Sequence, residues 1–135
     1  MLPVARREAR ERALSLLYEA ETKNVAPAVL IDDLPVPPDP FAASLVVGVG
    51  DRREEIDELI SRHAIGWALD RMPAIDRAVL RMATYELLAL PDTPTAVVIS
   101  EAVELAGGYS TEESGRFVNG VLSAVATDVR GGTRG

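Results

Sequence analysis

The sequence predicts a single domain with an all-α fold, and three observations favour this prediction. Apolar residues recur at helical spacing along most of the chain, whereas the strict alternation of a half-buried strand is absent. Aromatic residues make up 4% of the sequence, which is low for a β-rich protein. A length of 135 residues suits one domain, which can bury a sufficient core without disulfides. We therefore expect a single helical domain over residues 1–135.

The first half of the chain, about residues 1–66, opens with two predicted helices. Apolar spacing predicts the first over residues 4–23, and a shorter helix is expected over residues 27–31. Four prolines lie between residues 35 and 40, and this density is incompatible with a helix or a central strand. Residues 32–39 are therefore predicted to form a loop.

A third helix is predicted immediately after this loop. Asp39 is a suitable N-cap, and Pro40 is a suitable residue for the first turn. The apolar stripe that follows continues to Ile60 with a period close to that of a helix. Gly48 and Gly50 lower the helix propensity locally, but the stripe runs past them. We expect one unbroken helix here.

The second half, about residues 67–130, is expected to begin with a short helical turn at residues 67–72. Pro73 suits the first turn of a helix that continues to Leu90. Pro94 follows a polar stop signal and begins another helix, because proline is tolerated in a first helical turn. The sequence thus predicts two helices joined by a short connection.

The remaining signals concern the end of the chain. The glycine pair at residues 107–108 is expected to end the preceding helix. Residues 110–113 have the spacing of a capping box and predict the start of a last helix. Within that helix, Gly120 is expected to permit close packing against a neighbouring helix. Residues 131–135 are expected to form a frayed tail.

Composition and charge exclude several classes of protein. The net charge of -7 argues against a generally basic nucleic-acid-binding surface, although it leaves room for a local basic patch. No apolar run approaches the roughly 20 residues of a membrane span, and no signal peptide is recognisable, so the expected location is the cytoplasm. His63 is the only histidine and there is no cysteine, so no metal site is expected. We expect no catalytic centre and no cofactor.

The first helix carries an unusual concentration of arginines. Arg6, Arg7 and Arg10 lie in its first turns, where cations oppose the helix macrodipole. Helical geometry places Arg7, Arg10 and Tyr18 on one stripe beside the apolar face. Guanidinium groups bind phosphates and an aromatic ring stacks on bases, so this stripe suits single-stranded RNA. The alternative is a solvated helix end that neighbouring glutamates partly neutralise.

A series of ordered motifs extends from this helix into the second half of the chain. They are RREARE at residues 6–11, IDRAVLRMATYELL at 75–88, ISEAVELA at 99–106 and FVNGVL at 117–122. The series resembles the signature of the NusB family of transcription antitermination factors. Residues 24–66 match the family in helical character more than in sequence.

The resemblance implies both a fold and a function. The implied fold has about seven helices in two perpendicular helical bundles. The implied ligand is the single-stranded boxA element in RNA of ribosomal RNA operons, and the implied partner is ribosomal protein S10, acting as NusE. The resulting complex supports rRNA transcription by the RNA polymerase elongation complex.

The resemblance also assigns site residues. The residues that it implies for RNA binding are Arg6, Arg7, Arg10, Tyr18, Tyr109, Arg116 and Phe117. The residues that it implies for binding S10 are Asp70, Asp76 and Glu86. The acidity of this second set suits a basic ribosomal protein.

Two other functions remain open at this point. The chain could be a homodimeric helical interaction module that binds RNA weakly. It could also be the RNA-positioning domain of an rRNA methyltransferase, since some of those enzymes carry a similar domain.

Overall fold

The computed structural model describes residues 5–131, and within this range the chain forms seven α-helices, one short 3₁₀ turn and no strand. The predicted all-α class is therefore confirmed. The ends of the expected domain, residues 1–4 and 132–135, lie outside the described residues, as does most of the predicted tail. The helices are α1 (Arg6–Lys23), α2 (Pro27–Asp32), α3 (Pro40–Asp51), α4 (Arg53–His63), α5 (Ala74–Ala89), α6 (Thr95–Tyr109) and α7 (Glu112–Arg130), with the 3₁₀ turn at Leu69–Arg71.

The start of α3 follows the predicted local signals, but its end does not. The Asp39 carboxylate accepts hydrogen bonds from the backbone nitrogens of Phe41 and Ala42, at 2.9 and 3.2 Å. The expected unbroken helix is wrong, because the backbone leaves helical geometry at Arg52, where φ is -115° and ψ is 27°. The two glycines in the preceding turns each weaken a helix interior by about 1 kcal/mol relative to alanine. The break allows α4 to take its own direction.

The junction between α6 and α7 also differs from the expectation. Helix α6 continues through residues 107–108 and ends at Tyr109. The cap of α7 is Thr111, one residue later than the predicted Ser110, and its hydroxyl accepts a hydrogen bond from the backbone nitrogen of Ser114 at 3.0 Å. The glycine pair therefore forms the exposed last turn of α6 rather than its stop signal.

Helix α5 lies at the centre of one continuous apolar core, to which all seven helices of the described range contribute. It packs against α1, α3, α4, α6 and α7, and its buried residues include almost every position from Ala78 to Leu87. Most polar side chains on this helix are therefore buried, among them Asp76, Thr84 and Glu86. Two of the predicted site residues, Asp76 and Glu86, are buried for this reason.

Gly48 of α3 makes room for a side chain of α5 in the core. A Cβ atom at this position would overlap the ring of Tyr85 on α5. Gly120, which was expected to permit such packing, is exposed, and a Cβ there would meet nothing within 4 Å. That expectation is wrong, and Gly48 has this function instead.

Charged side chains connect α5 to the first half of the chain. The Arg77 guanidinium donates hydrogen bonds to both carboxylate oxygens of Glu21, at 2.6 and 2.8 Å. The Arg81 guanidinium does the same to Asp57, at 2.8 and 3.1 Å, and also reaches Glu21 at 3.2 Å. These bonds link the end of α1 and the middle of α4 to the first half of α5.

A second arginine-centred contact lies at the other end of α5. The Arg130 guanidinium, on the last turn of α7, lies at the corner where the end of α5 meets the start of α6, and all its acceptors among the described residues are uncharged. It donates at 2.8–3.2 Å to the carbonyl oxygens of Glu86, Leu87, Leu90 and Thr93 and to the Thr95 hydroxyl. It thereby supplies a donor to the Leu87 carbonyl in the last turn of α5, where a helix leaves carbonyl groups unpaired.

Among residues 5–131, no helix has the length and apolar character needed to cross a membrane. No group of three or more His, Asp or Glu side chains in the same range could hold a metal ion.

Candidate nucleic-acid interface

The first arginine of α1 is exposed and has no carboxylate partner among the described residues. The Arg6 guanidinium carbon lies 3.9 Å from the centroid of the Phe41 ring, in a cation–π contact. The ring holds the guanidinium near the surface without neutralising its charge. Arg6 is therefore suited to bind an anion from solution.

Arg7 is exposed as well, but the chain's own carboxylates hold it. Its Nε and Nη2 atoms donate to the two carboxylate oxygens of Glu101 on α6, at 3.1 and 2.9 Å. Its Nη1 atom lies 3.9 Å from a carboxylate oxygen of Glu104. The hydrogen bond to Glu101 raises the pKa of Arg7 and lowers the pKa of Glu101. The pair fastens α1 to α6.

Arg10 is a correction to the predicted RNA-binding set. Its side chain is 6% exposed, and it donates two hydrogen bonds of 2.8 Å to the carboxylate of Glu86. The hydrogen bond to Glu86 raises the pKa of Arg10. A guanidinium buried and paired in this way cannot reach a phosphate without leaving the core. Arg10 therefore holds α1 against α5.

The predicted aromatic contacts are on or near the surface. Tyr18 is 44% exposed and Tyr109 is 55% exposed, so both can offer a ring face to a base. Arg116 is exposed and pairs with no carboxylate in the described range. Phe117 is partly buried, and its ring meets the edge of Trp67 with the centroids 6.0 Å apart. Trp67 is itself 52% exposed.

A pocket of about 400 Å³ lies beside this aromatic pair. Its lining includes Trp67, Met72, Pro73, Asp76 and Phe117. The Oδ1 atom of Asp76 is buried and has no hydrogen-bond partner among the described residues. The pocket thus combines apolar side chains with a buried carboxylate oxygen that has no partner within residues 5–131.

The acidic residues predicted for protein binding do not form a common surface. Asp70 is exposed on the 3₁₀ turn, whereas Asp76 and Glu86 are 3% and 1% exposed. The prediction treated these carboxylates as surface groups, and the central position of α5 is the reason that two of them are not. Asp76 borders the pocket, and Glu86 is the partner of Arg10.

The surviving candidates form two groups. One is on α1, and the other is at the junction of α6 and α7. The Arg7–Glu101 pair connects the helix of the first group to the helix that leads to the second. The first group is Arg6, Arg7 and Tyr18, and the second is Tyr109, Arg116 and Phe117. Contact of these residues with RNA stays a prediction.

Sequence reasoning missed two aromatic residues of this region. The apolar stripe assigns Phe41 only to the core, although it also supports Arg6. Trp67 is the only tryptophan, and it follows Gly66, whose φ of +85° marks a turn. A large apolar side chain directly after such a turn is a usable signal of a binding surface.

Known proteins resemble this chain over most of its length. The sequence model of the NusB family matches residues 7–127. The transcription antitermination protein NusB of Kineococcus radiotolerans is 46% identical over 126 residues, which cover 90% of this chain and 93% of that protein. The corresponding protein of Acidothermus cellulolyticus is 50% identical over 127 residues, which cover 90% of this chain and 86% of that protein.

Solved structures agree with these matches. The NusB structure of T. maritima superposes with a TM-score of 0.83 at 37% identity and covers 94% of each chain. A crystal structure of the antitermination factors NusB and NusE in complex with dsRNA superposes with a TM-score of 0.79 at 30% identity, covering 91% of this chain and 96% of that one. The predicted NusB-like fold is thereby confirmed, and the chain belongs to the NusB family.

Proposed function

We propose that this protein is a transcription antitermination factor. It binds boxA RNA of ribosomal RNA operons together with ribosomal protein S10 (NusE), and the complex supports rRNA transcription by the RNA polymerase elongation complex. The observation that carries the proposal is the match to two transcription antitermination proteins. They are 46% and 50% identical to this chain, and each alignment covers 90% of it. This function places the protein in the cytoplasm and gives it a regulatory rather than a catalytic task.

The geometry of α1 supports RNA as the ligand. Arg6 is an exposed cation with no carboxylate partner in the described range, and Arg7 presents its guanidinium at the same end of the helix. Tyr18 lies farther along α1 with its ring partly exposed. Two cations for phosphates and one ring for stacking match the chemistry of a single RNA strand.

The second group could contact further nucleotides of a longer strand. Tyr109 and Arg116 are exposed at the junction of α6 and α7, and together they repeat the combination of a ring and a cation. A strand that contacts both groups is bound more tightly than a strand that contacts one of them. The net charge of -7 makes this arrangement necessary, because attraction over the whole surface cannot hold RNA.

Ribosomal protein S10 is the proposed protein partner. The solved complex that resembles this chain contains NusB, NusE and RNA together. Asp70 remains an exposed acidic candidate for contact with a basic protein, and Trp67, which is 52% exposed, offers apolar surface three residues earlier in the chain. Two proteins that each bind the strand weakly bind it more tightly as a pair, because the second contact becomes intramolecular.

A titration of labelled boxA RNA tests the proposal. The chain is titrated with and without S10 at two salt concentrations, beside a scrambled RNA of equal length. We expect preference for boxA and tighter binding in the presence of S10. Equal affinity for both RNAs in every condition would contradict the proposal.

A mass measurement in solution addresses the homodimeric alternative. A stable dimer that binds neither boxA nor S10 would favour the helical interaction module over the antitermination factor. The methyltransferase alternative has less support, because the relatives matched over 86–93% of their own length are antitermination proteins.

A further inference from the structure

Arg7 and its two glutamates form an arrangement that stability alone does not explain. The pair is exposed, with 56% of the Arg7 side chain accessible, so it adds little to the free energy of unfolding. The core already fastens α1 through the buried bond between Arg10 and Glu86. A second carboxylate, Glu104, nevertheless faces the same guanidinium from the next turn of α6.

The carboxylate of Glu101 occupies the N–H donors of Arg7 that an RNA phosphate would use. Arginine binds phosphate and carboxylate through the same planar fork of N–H groups, with two parallel hydrogen bonds. In this protein the fork formed by Nε and Nη2 already donates both bonds to Glu101. A phosphate that takes this fork must displace the carboxylate.

We propose that Glu101 and Glu104 act as an internal competitor for RNA, holding Arg7 in the free protein and lowering its affinity for a polyanionic strand. This inference rests on the proposed function, because it concerns the same RNA-binding helix. When RNA binds, Arg7 exchanges the Glu101 carboxylate for a phosphate, and both glutamates remain beside the strand as unpaired negative charges. The contact is thus autoinhibitory, because an RNA that binds Arg7 must first displace the Glu101 carboxylate.

The neighbouring arginines show why this device involves Arg7 alone among the arginines of the first turns. Arg6 contacts an aromatic ring, which does not compete with phosphate for its charge. Arg10 is buried, so its carboxylate partner cannot be exchanged from solvent. Arg7 is both exposed and paired, and this combination makes exchange possible.

Neutral variants of the two glutamates test the proposal. Glu101→Gln and Glu104→Gln, singly and together, should tighten binding of labelled boxA RNA by about two- to fivefold, the range of an exposed ion pair. Glu54→Gln is the matched control, because it removes the same charge from an exposed site on α4 that has no ion pair among the described residues. The control should leave the affinity close to that of the wild type.

A double-mutant cycle separates competition for Arg7 from simple repulsion of RNA. Glu101→Gln and Glu104→Gln are repeated in an Arg7→Ala background, and far-ultraviolet circular dichroism verifies that each variant is folded. If the glutamates act through Arg7, most of their gain disappears in this background.

The outcomes distinguish the inference from the function on which it rests. A gain of equal size with and without Arg7, or no gain beyond that of Glu54→Gln, would overturn the inference while leaving RNA binding intact. Failure of the wild-type chain to bind boxA RNA, alone and with S10, would instead remove the proposed function.

Discussion

The guanidinium of Arg10 and the carboxylate of Glu86 form a doubly hydrogen-bonded ion pair inside the core, with both nitrogen–oxygen distances at 2.8 Å. Each group satisfies the charge of the other where water cannot. Removal of one partner leaves a buried charge without compensation, which costs more than the pair itself contributes. The pair therefore holds α1 and α5 in a fixed relative position.

We expect Arg10→Ala to lower the free energy of unfolding by about 3–5 kcal/mol. Urea denaturation followed by circular dichroism measures the change. Arg12→Ala is the control, because Arg12 is an exposed arginine of the same helix without a carboxylate partner in the described range, and its cost should stay within about 0.5 kcal/mol. Equal costs for the two variants would contradict the buried pair.

Gly48→Ala should destabilise the protein by about 1–3 kcal/mol, because the new methyl group overlaps the Tyr85 ring. Helix propensity alone predicts the opposite sign, a gain of about 1 kcal/mol. Gly120→Ala supplies the matched case, since it lies in a helix with open space around it and should be stabilising. Thermal unfolding of both variants checks the signs, and stabilisation by Gly48→Ala would refute the close approach.

The bonds between α1 and α5 predict a dependence of stability on pH. The hydrogen bond from Arg77 holds the pKa of Glu21 below its ordinary value of 4.5. The folded state therefore binds fewer protons than the unfolded state in this range, and the stabilisation present above pH 4.5 is lost as the pH falls through the lowered pKa.

Glu21→Gln should accordingly be less stable than the wild type near neutral pH, and the difference should shrink in acid. Urea denaturation at a series of pH values measures it. Glu54→Gln, which removes a charge without an ion pair in the described range, should differ little from the wild type at any pH. A Glu21→Gln deficit that is the same at every pH would be inconsistent with the lowered pKa.

RNA binding should depend on salt through α1. Each phosphate contact on a single strand adds about 0.7 to the slope of log affinity against log salt concentration. Combined Arg6→Ala and Arg7→Ala should therefore flatten the slope by about 1.4. Arg52→Ala, at the connection between α3 and α4, should leave it unchanged. If the slope of the double variant equals that of the wild type, α1 is not in the path of the RNA.

Most helix positions could be predicted because their signals are local. Asp39 caps α3 through hydrogen bonds within three residues, and Pro73 and Pro94 each stand directly before a helix. The break at Arg52 could not be predicted in this way. The apolar stripe is continuous across it, and the direction of α4 depends on how distant helices pack.

The site was harder to predict because the fate of each arginine depends on a distant residue. Arg7 and Arg10 lie on the same helix and look alike in sequence, but their partners are 94 and 76 positions away. The packing of α1 against α3 and α5 determines that Arg10 is buried, whereas Arg7 remains exposed. Motif resemblance indicated α1 as a candidate, and the tertiary structure shows which of its arginines are exposed.

The capping of α5 by Arg130 has a consequence for the order in which the newly made chain folds. The Leu87 carbonyl that receives an Arg130 hydrogen bond is synthesised 43 positions earlier. At about 5–20 residues per second on the ribosome, roughly 2–9 s separate the two. During that interval the Leu87 carbonyl lacks its Arg130 donor, so the corner between α5 and α6 is not yet held by this side chain. The connection between α5 and α6 is therefore completed only when the last turn of α7 packs against it and Arg130 supplies its hydrogen bonds.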